Sequence, residues 1–210
     1  NASVESFTIV KSGKSPRSGM FLDHSMGNKV SNNKIIDNSV GLSLSYSGNN
    51  LICDNVITFN DYDGISLYYS GNNVIRDNVI TSNNYDGISL YSSNNNLIFD
   101  NNISSNYDGV IFSYSSNNLV SCNVVSLCNY DGVILSDSSS NLVSRNVIMY
   151  NNLAGINLYR SKDNVICGNN ISSNNNGISL SLYSNNNTIY HNNFNNTDQA
   201  WGVLKNVWDY

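Results

Sequence analysis

Helix-forming residues are nearly missing from this 210-residue chain, which holds one glutamate (Glu5), one glutamine (Gln199) and three alanines (Ala2, Ala154, Ala200). These are the side chains that lose least freedom in a helix, so their scarcity argues against a helical or mixed fold. Proline occurs once, at Pro16, and charged residues make up only 12% of the chain, with a formal net charge of −5. The ten basic residues form no run, which speaks against nucleic acid or an anionic membrane surface as a partner. No apolar stretch approaches the ~20 residues of a membrane span. No signal-peptide pattern opens the chain, so secretion would require a leader already removed.

What is present is asparagine, about a fifth of all residues, with abundant serine, tyrosine, isoleucine and leucine. That composition fits short strands joined by tight turns. Gly19, Gly41, Gly64, Gly87, Gly109, Gly132, Gly155 and Gly177 follow one another at 22 or 23 residues, the signature of a repeat array. Positions one and three after each glycine are apolar, as in Ile65/Leu67 and Ile88/Leu90, and so predict a strand with one buried face. A second apolar anchor follows at Val30, Ile52, Ile75, Ile98, Val120, Val143, Ile166 and Ile189. A third stands five residues later, from Ile35 to Phe194. Each repeat is therefore read as three short strands.

Asparagine keeps the same period. One column lies three residues after the second anchor (Asn33 to Asn192), another two before it (Asn28 to Asn187), and a third runs from Asn38 to Asn174 with Cys128 in one place. Asparagine tolerates left-handed backbone at corners, and its amide can bond the identical amide one coil away. At about 1 kcal/mol net per bond, these columns are expected to be structural.

Three strands per repeat, every column stacking on itself, describe a right-handed parallel β-helix of eight or nine coils, about 40 Å long at ~4.8 Å per coil. The repeats NNVIRDNVITSNNYDGISLYSS and NNTIYHNNFNN resemble the PbH1 parallel β-helix repeats of the NosD-like family, frequent in methanogen surface proteins. The resemblance covers essentially the whole chain and implies the fold. It implies an archaeal, extracellular or cell-surface protein, in a family that includes polysaccharide-processing enzymes, a periplasmic copper-site maturation factor and large surface proteins. The chain is read as one solenoid domain over 1–210. Residues 1–18 form an irregular first coil with the basic loop KSGKSPR, 19–197 the regular coils, and 198–210 an irregular closing segment. Neither end shows a covering helix, so the edges are expected to continue in a longer protein or to stack on neighbours.

One motif is confined to the middle coils. Asp63, Asp86, Asp108 and Asp131 each precede a repeat glycine and follow a tyrosine: Tyr62, Tyr85, Tyr107 and Tyr130. Two readings stand: Asp-Gly as a turn whose carboxylate bonds nearby amides, or a ligand column. Carboxylates ~4.8 Å apart in solvent repel by about 1 kcal/mol, and Ca²⁺ or a glycan hydroxyl network would offset this. Tyr68, Tyr69, Tyr91, Tyr114 and Tyr159 offer rings to a sugar. A second acidic column, Asp54, Asp77 and Asp100, is assigned to another corner. No catalytic residue is assigned, since one repeated environment does not separate an acid from a nucleophile, and the NTD, DD, GHG and RIK signatures of β-helix polygalacturonases are absent. His24 and His191 lie at opposite ends, and no copper-ligand cluster converges.

Cys53 and Cys167 share a register five coils apart, roughly 24 Å, which excludes a bond within one rod because disulfides need Cα atoms within about 7 Å. They are read either as free thiols or as outward residues linking neighbouring subunits; Cys128 is read as a small buried residue. Five sequons begin at Asn1, Asn102, Asn170, Asn186 and Asn195. The functional expectation is an extracellular structural solenoid, a homo-oligomer or polymer of sheath or surface-layer type assembled through its ends and sides. The alternative is a glycan-binding or polysaccharide-processing module.

Overall fold

The computed structural model describes residues 2–11, 18–202 and 206–209; most of the KSGKSPR loop and the sequon at Asn1 lie outside them. The described residues form a β-solenoid of about nine turns with no helix. One coil comprises Ile65–Tyr68, Val74–Arg76 and Val79–Thr81. Each of these strands pairs in parallel with its counterparts one coil above and below, so three sheets run along the rod, two of nine strands and one of ten. We call them the glycine sheet, the middle sheet and the third sheet, in chain order.

The register is the one the repeat predicts. Ile88, Ser89, Leu90 and Tyr91 pair with Ile65, Ser66, Leu67 and Tyr68, so like residues stack on like. Ile65, Leu67, Ile75 and Ile80 are fully buried, and the same four positions of successive coils make one continuous core along the axis. Val4 and Ile9 pair with Val30 and Ile35, which places the first coil in the same frame.

Two details differ from the sequence reading, one at the repeat glycines and one in the closing segment. The Asp-Gly pairs read as turns, yet none of the repeat glycines has positive φ. A Cβ on Gly64 would lie 2.5 Å from the Ile80 methyl and 2.7 Å from the Gly87 carbonyl oxygen, so glycine is required by packing at a tight corner and not by backbone freedom. The left-handed residues are instead at the other corners, among them Asp54, Asp77 and Asp100, with φ of 58°, 55° and 56°. The closing segment also continues the solenoid where irregular structure is expected. Asp198–Trp201 joins the glycine sheet, Val207–Asp209 joins the middle sheet, and Asn206 extends an asparagine column by accepting the Asn187 amide at 3.0 Å.

Candidate functional site

Inward positions of the glycine sheet are taken by the core, so its outer face carries what the fold leaves free. Four files of side chains run along that face; in one coil they are Tyr62, Asp63, Ser66 and Tyr68. The sequence-predicted aspartates do form one file. The backbone N–H of Asp86 donates to Asp63 Oδ1 (3.3 Å), that of Asp131 to Asp108 Oδ1 (2.7 Å) and that of Ala154 to Asp131 Oδ1 (2.7 Å). Asp108 serves Asp86 in the same way. Each carboxylate thus holds the next coil's backbone, and Asp131 Oδ2 also accepts the Asn157 amide at 2.8 Å.

Two of these groups are buried, Asp108 at 6% and Asp131 at 3% exposed, and Asp63 and Asp86 are half-buried. Burial pushes the carboxyls up from 3.8 to about 6 at Asp63 and Asp108. At Asp86, burial together with the charges of Asp63 and Asp108 on either side raises it to about 8. Asp131 is raised by burial, with the hydrogen bonds from Asn157 and Ala154 working against the shift.

The tyrosines flank this file. Tyr62, Tyr85, Tyr107 and Tyr130 pile up with successive ring centroids 5.4, 6.1 and 4.4 Å apart. On the other side, Tyr68 stacks on Tyr91 (5.4 Å), Tyr46 on Tyr69 (5.2 Å), and Tyr114 meets Tyr91 edge-on. Ring faces in the stacked pairs therefore cover one another. A ligand there would be held more by hydroxyl hydrogen bonds than by stacking.

The spine stops after Tyr130 and Asp131. In the next coil Leu153 and Ala154 take their places, Leu153 N–H donating to the Tyr130 carbonyl. The lost side-chain volume opens a cavity of about 310 Å³ over these two residues. Its sides are Asn157, Asn176, Ser179 and Asp198, and Trp201, 58% exposed, forms one wall. Sequence reasoning named none of these residues as a site. The available signal was Ala154, one of only three alanines, standing where the column predicts a fifth aspartate.

The structure bears on both readings of the cysteines. Cys53 sits on the outer side of its strand but is only 1% exposed, covered between the paired Ser31 and Arg76 and hydrogen-bonded with Asp54. Burial and that aspartate push its thiol up to about 11, which argues against the cross-linking reading and agrees with the free-thiol one. Cys167 is half-buried, and Cys128 lies in the core, its thiol raised to about 12 chiefly by burial. The exposed cysteine is Cys122.

Residues 1–118 and 103–209 each match the family described as periplasmic copper-binding protein (NosD). The chain belongs to this family. Among curated proteins no match is found. Solved structures share the fold of this NosD-family solenoid at low identity. The A-module of the Azotobacter vinelandii mannuronan C-5 epimerase AlgE4 is 18% identical with a TM-score of 0.74, over 88% of this chain and 60% of that one. The periplasmic alginate epimerase AlgG is 20% identical with a TM-score of 0.72, over 91% and 47%. A tailspike protein of E. coli bacteriophage HK620, in complex with a pentasaccharide, is 12% identical with a TM-score of 0.72, over 87% and 41%. The chain thus spans about half the length of these neighbours.

The family description invites a test for copper. Copper is held by imidazole and sulfur donors that converge. In this NosD-family chain His24 stacks on Tyr46 (5.1 Å) and bonds Asp23, whereas His191 sits beside Tyr190 at the far end. Among the described residues no three His, Cys, Asp or Glu side chains gather as metal ligands. The donor set does not fit a copper site. Nor is any helix of the described residues long and apolar enough to cross a membrane.

Proposed function

We propose that this protein is an envelope β-solenoid that binds an extended polysaccharide along the outer face of its glycine sheet. The observation that carries the reading is the trough itself: an uninterrupted file of four carboxyl groups beside a row of four tyrosines, with Ser66 and Ser89, then Ile111 and Ile134, in the neighbouring file, and Tyr68 and Tyr91 beyond the first two coils. Sugars present hydroxyls at regular spacing, and the carboxyl and phenol columns, which repeat every coil, match that regularity. The polysaccharide-related names of the structural neighbours, and the periplasmic setting in the family description, agree with it. Binding is favoured over cleavage because the carboxylates are engaged by backbone N–H groups of the next coil.

Affinity electrophoresis through gels containing neutral or acidic polysaccharides tests the reading. Retardation by at least one of them, reduced in Tyr85→Ala and in Asp108→Asn, is the expected result; migration unaffected by every polysaccharide overturns it.

A second reading, side-to-side assembly, is favoured by one feature of the middle sheet. Leu51, Val74, Leu97, Leu119, Leu142 and Val165 stack as an outward apolar file, with Leu97 40% and Leu142 36% exposed. Such a file on a rod is suited to packing against a second copy. Sedimentation should show concentration-dependent oligomers that Leu97→Lys abolishes; a monomer at all concentrations removes this reading.

A further inference from the structure

The cavity beyond the end of the Tyr-Asp spine offers what the trough lacks, an aromatic face not buried against another ring of the spine. We propose that it is a subsite for one neutral hexopyranose ring, with the Trp201 indole as its platform. This deepens the polysaccharide reading and rests on it.

The argument is of shape, polarity and charge. The cavity exists because Ala154 and Leu153 are small where the preceding coils hold aspartate and tyrosine, and its floor is therefore apolar. At about 310 Å³ it is at the small end of the roughly 300–1,000 Å³ of ligand clefts, so it accommodates about one ring and not several. Trp201 follows Ser179 in its file, and Ser179 follows Asn157, while Asp198 follows Asn176 in the aspartate file. Hydroxyl, amide and carboxylate groups thus ring the apolar plane, and sugar hydroxyls need both donors and acceptors. Asn157 is fixed by its hydrogen bond to Asp131, so one of these amides is oriented in advance and linked to the spine.

Charge selects the class of sugar. None of the described lining residues is basic, and Asp198 and the Asp131–Asn157 pair border the cavity. Carboxylates of a uronate are held by arginine or lysine, and among the described lining residues one would meet only like charge. The two files that lead to the cavity, from Asp63 to Asn176 and from Ser66 through Ile111 and Ile134 to Ser179, contain no basic residue either. A neutral chain is therefore accepted and a polyuronate refused, in contrast to the mannuronan of the epimerase neighbour's name.

The chain has two tryptophans, so a Trp208→Phe background leaves Trp201 as the only indole emitter. In that background, cellohexaose, maltohexaose, mannohexaose and an oligomannuronate of equal length are titrated by fluorescence and calorimetry. At least one neutral oligosaccharide is expected to bind and perturb the emission, with the oligomannuronate weaker by about tenfold or more. Trp201→Ala, read by calorimetry, should lose about tenfold in affinity, and Trp201→Phe should recover most of it, as expected for stacking on an aromatic face. The Phe variant also guards against loss of folding in the Ala variant. Neutral binding that is unchanged in both Trp201 variants overturns the subsite while leaving the trough reading intact. Tighter binding of the oligomannuronate overturns the charge argument, and no binding of any oligosaccharide or polysaccharide by the unaltered chain overturns both readings.

Discussion

The asparagine corner at Asn33 to Asn192 and the aspartate file at Asp63 to Asp131 are built on related plans: the asparagine oxygen accepts from the preceding coil, the aspartate oxygen from the following one, and the functional group differs. In each, a side-chain oxygen accepts the backbone N–H of the same position one coil away. Asn78 also donates through Nδ2 to Asn101 Oδ1 (2.9 Å) and to the carbonyls of Ile52 (3.1 Å) and Arg76 (2.9 Å). An ionised aspartate has no such donor, so its ladder is half as bonded and carries like charges in a file. The asparagine corner satisfies itself, whereas the aspartate file depends on its protons. That difference separates the part of the molecule that only stabilises from the part that is chemically responsive.

The largest effect should come from breaking the saturated ladder. Asn78→Ala removes three donated bonds and strands the buried N–H of Asn55, which donates to Asn78 Oδ1 at 3.0 Å. A loss of about 3–5 kcal/mol is expected in denaturant unfolding. A loss below about 1 kcal/mol would show that the ladder contributes little beyond the strand hydrogen bonds.

The responsive file should show itself in pH. A carboxyl whose pKa rises on folding takes up a proton as the chain folds, so its contribution is fully present below the unfolded value near 3.8 and is lost as pH climbs through the folded value. With folded values of about 6 at Asp63 and Asp108 and about 8 at Asp86, stability should fall as pH rises from 4 to 8. Asp86→Asn keeps an acceptor for the Asp108 amide and removes the charge. At pH 8 it should gain about 2 kcal/mol, less than full linkage because solvent partly reaches the site, and near pH 4 it should be neutral. Melting curves across this range check it, and a pH-independent difference between the two proteins would contradict the account.

The smallest effect is expected where one ladder is interrupted. Cys128 replaces an asparagine between Asn106 and Asn151, and its backbone N–H still donates to Asn151 Oδ1 at 3.1 Å. Cys128→Asn should restore the side-chain bond and raise stability by up to about 1 kcal/mol. A net loss would mean that the thiol is fitted to the space better than an amide.

How much of this was legible varied with the kind of residue. The glycine, isoleucine and asparagine columns could be read because each position tolerates little else: a Cβ clashes, a polar group leaves the core, an amide is needed at the corner. A further column escaped notice. Ser47, Ser70, Ser93, Ser115, Ser138, Ser161 and Ser184 form a buried ladder in which each Oγ from Ser70 onward accepts the preceding coil's backbone N–H at 2.9–3.1 Å. Serine is so common in this chain that its register did not stand out. At Cys53 the limit is different: strand alternation gives the side of the sheet, but cover by neighbouring rungs depends on the packed side chains.

The sequence by itself determined the solenoid, its period, its core and the Tyr-Asp column, because a repeat stacks every residue on its own copy and one coil dictates the next. Only the tertiary structure decided that the aspartates spend their oxygens on backbone N–H groups, that the tyrosines stack on one another, and that Ala154 and Trp201 frame a cavity. These depend on neighbours 22 to 47 positions apart along the chain, on files lying side by side, and on volumes left empty. A missing side chain leaves no motif in a sequence, but on a surface it leaves a space with a shape.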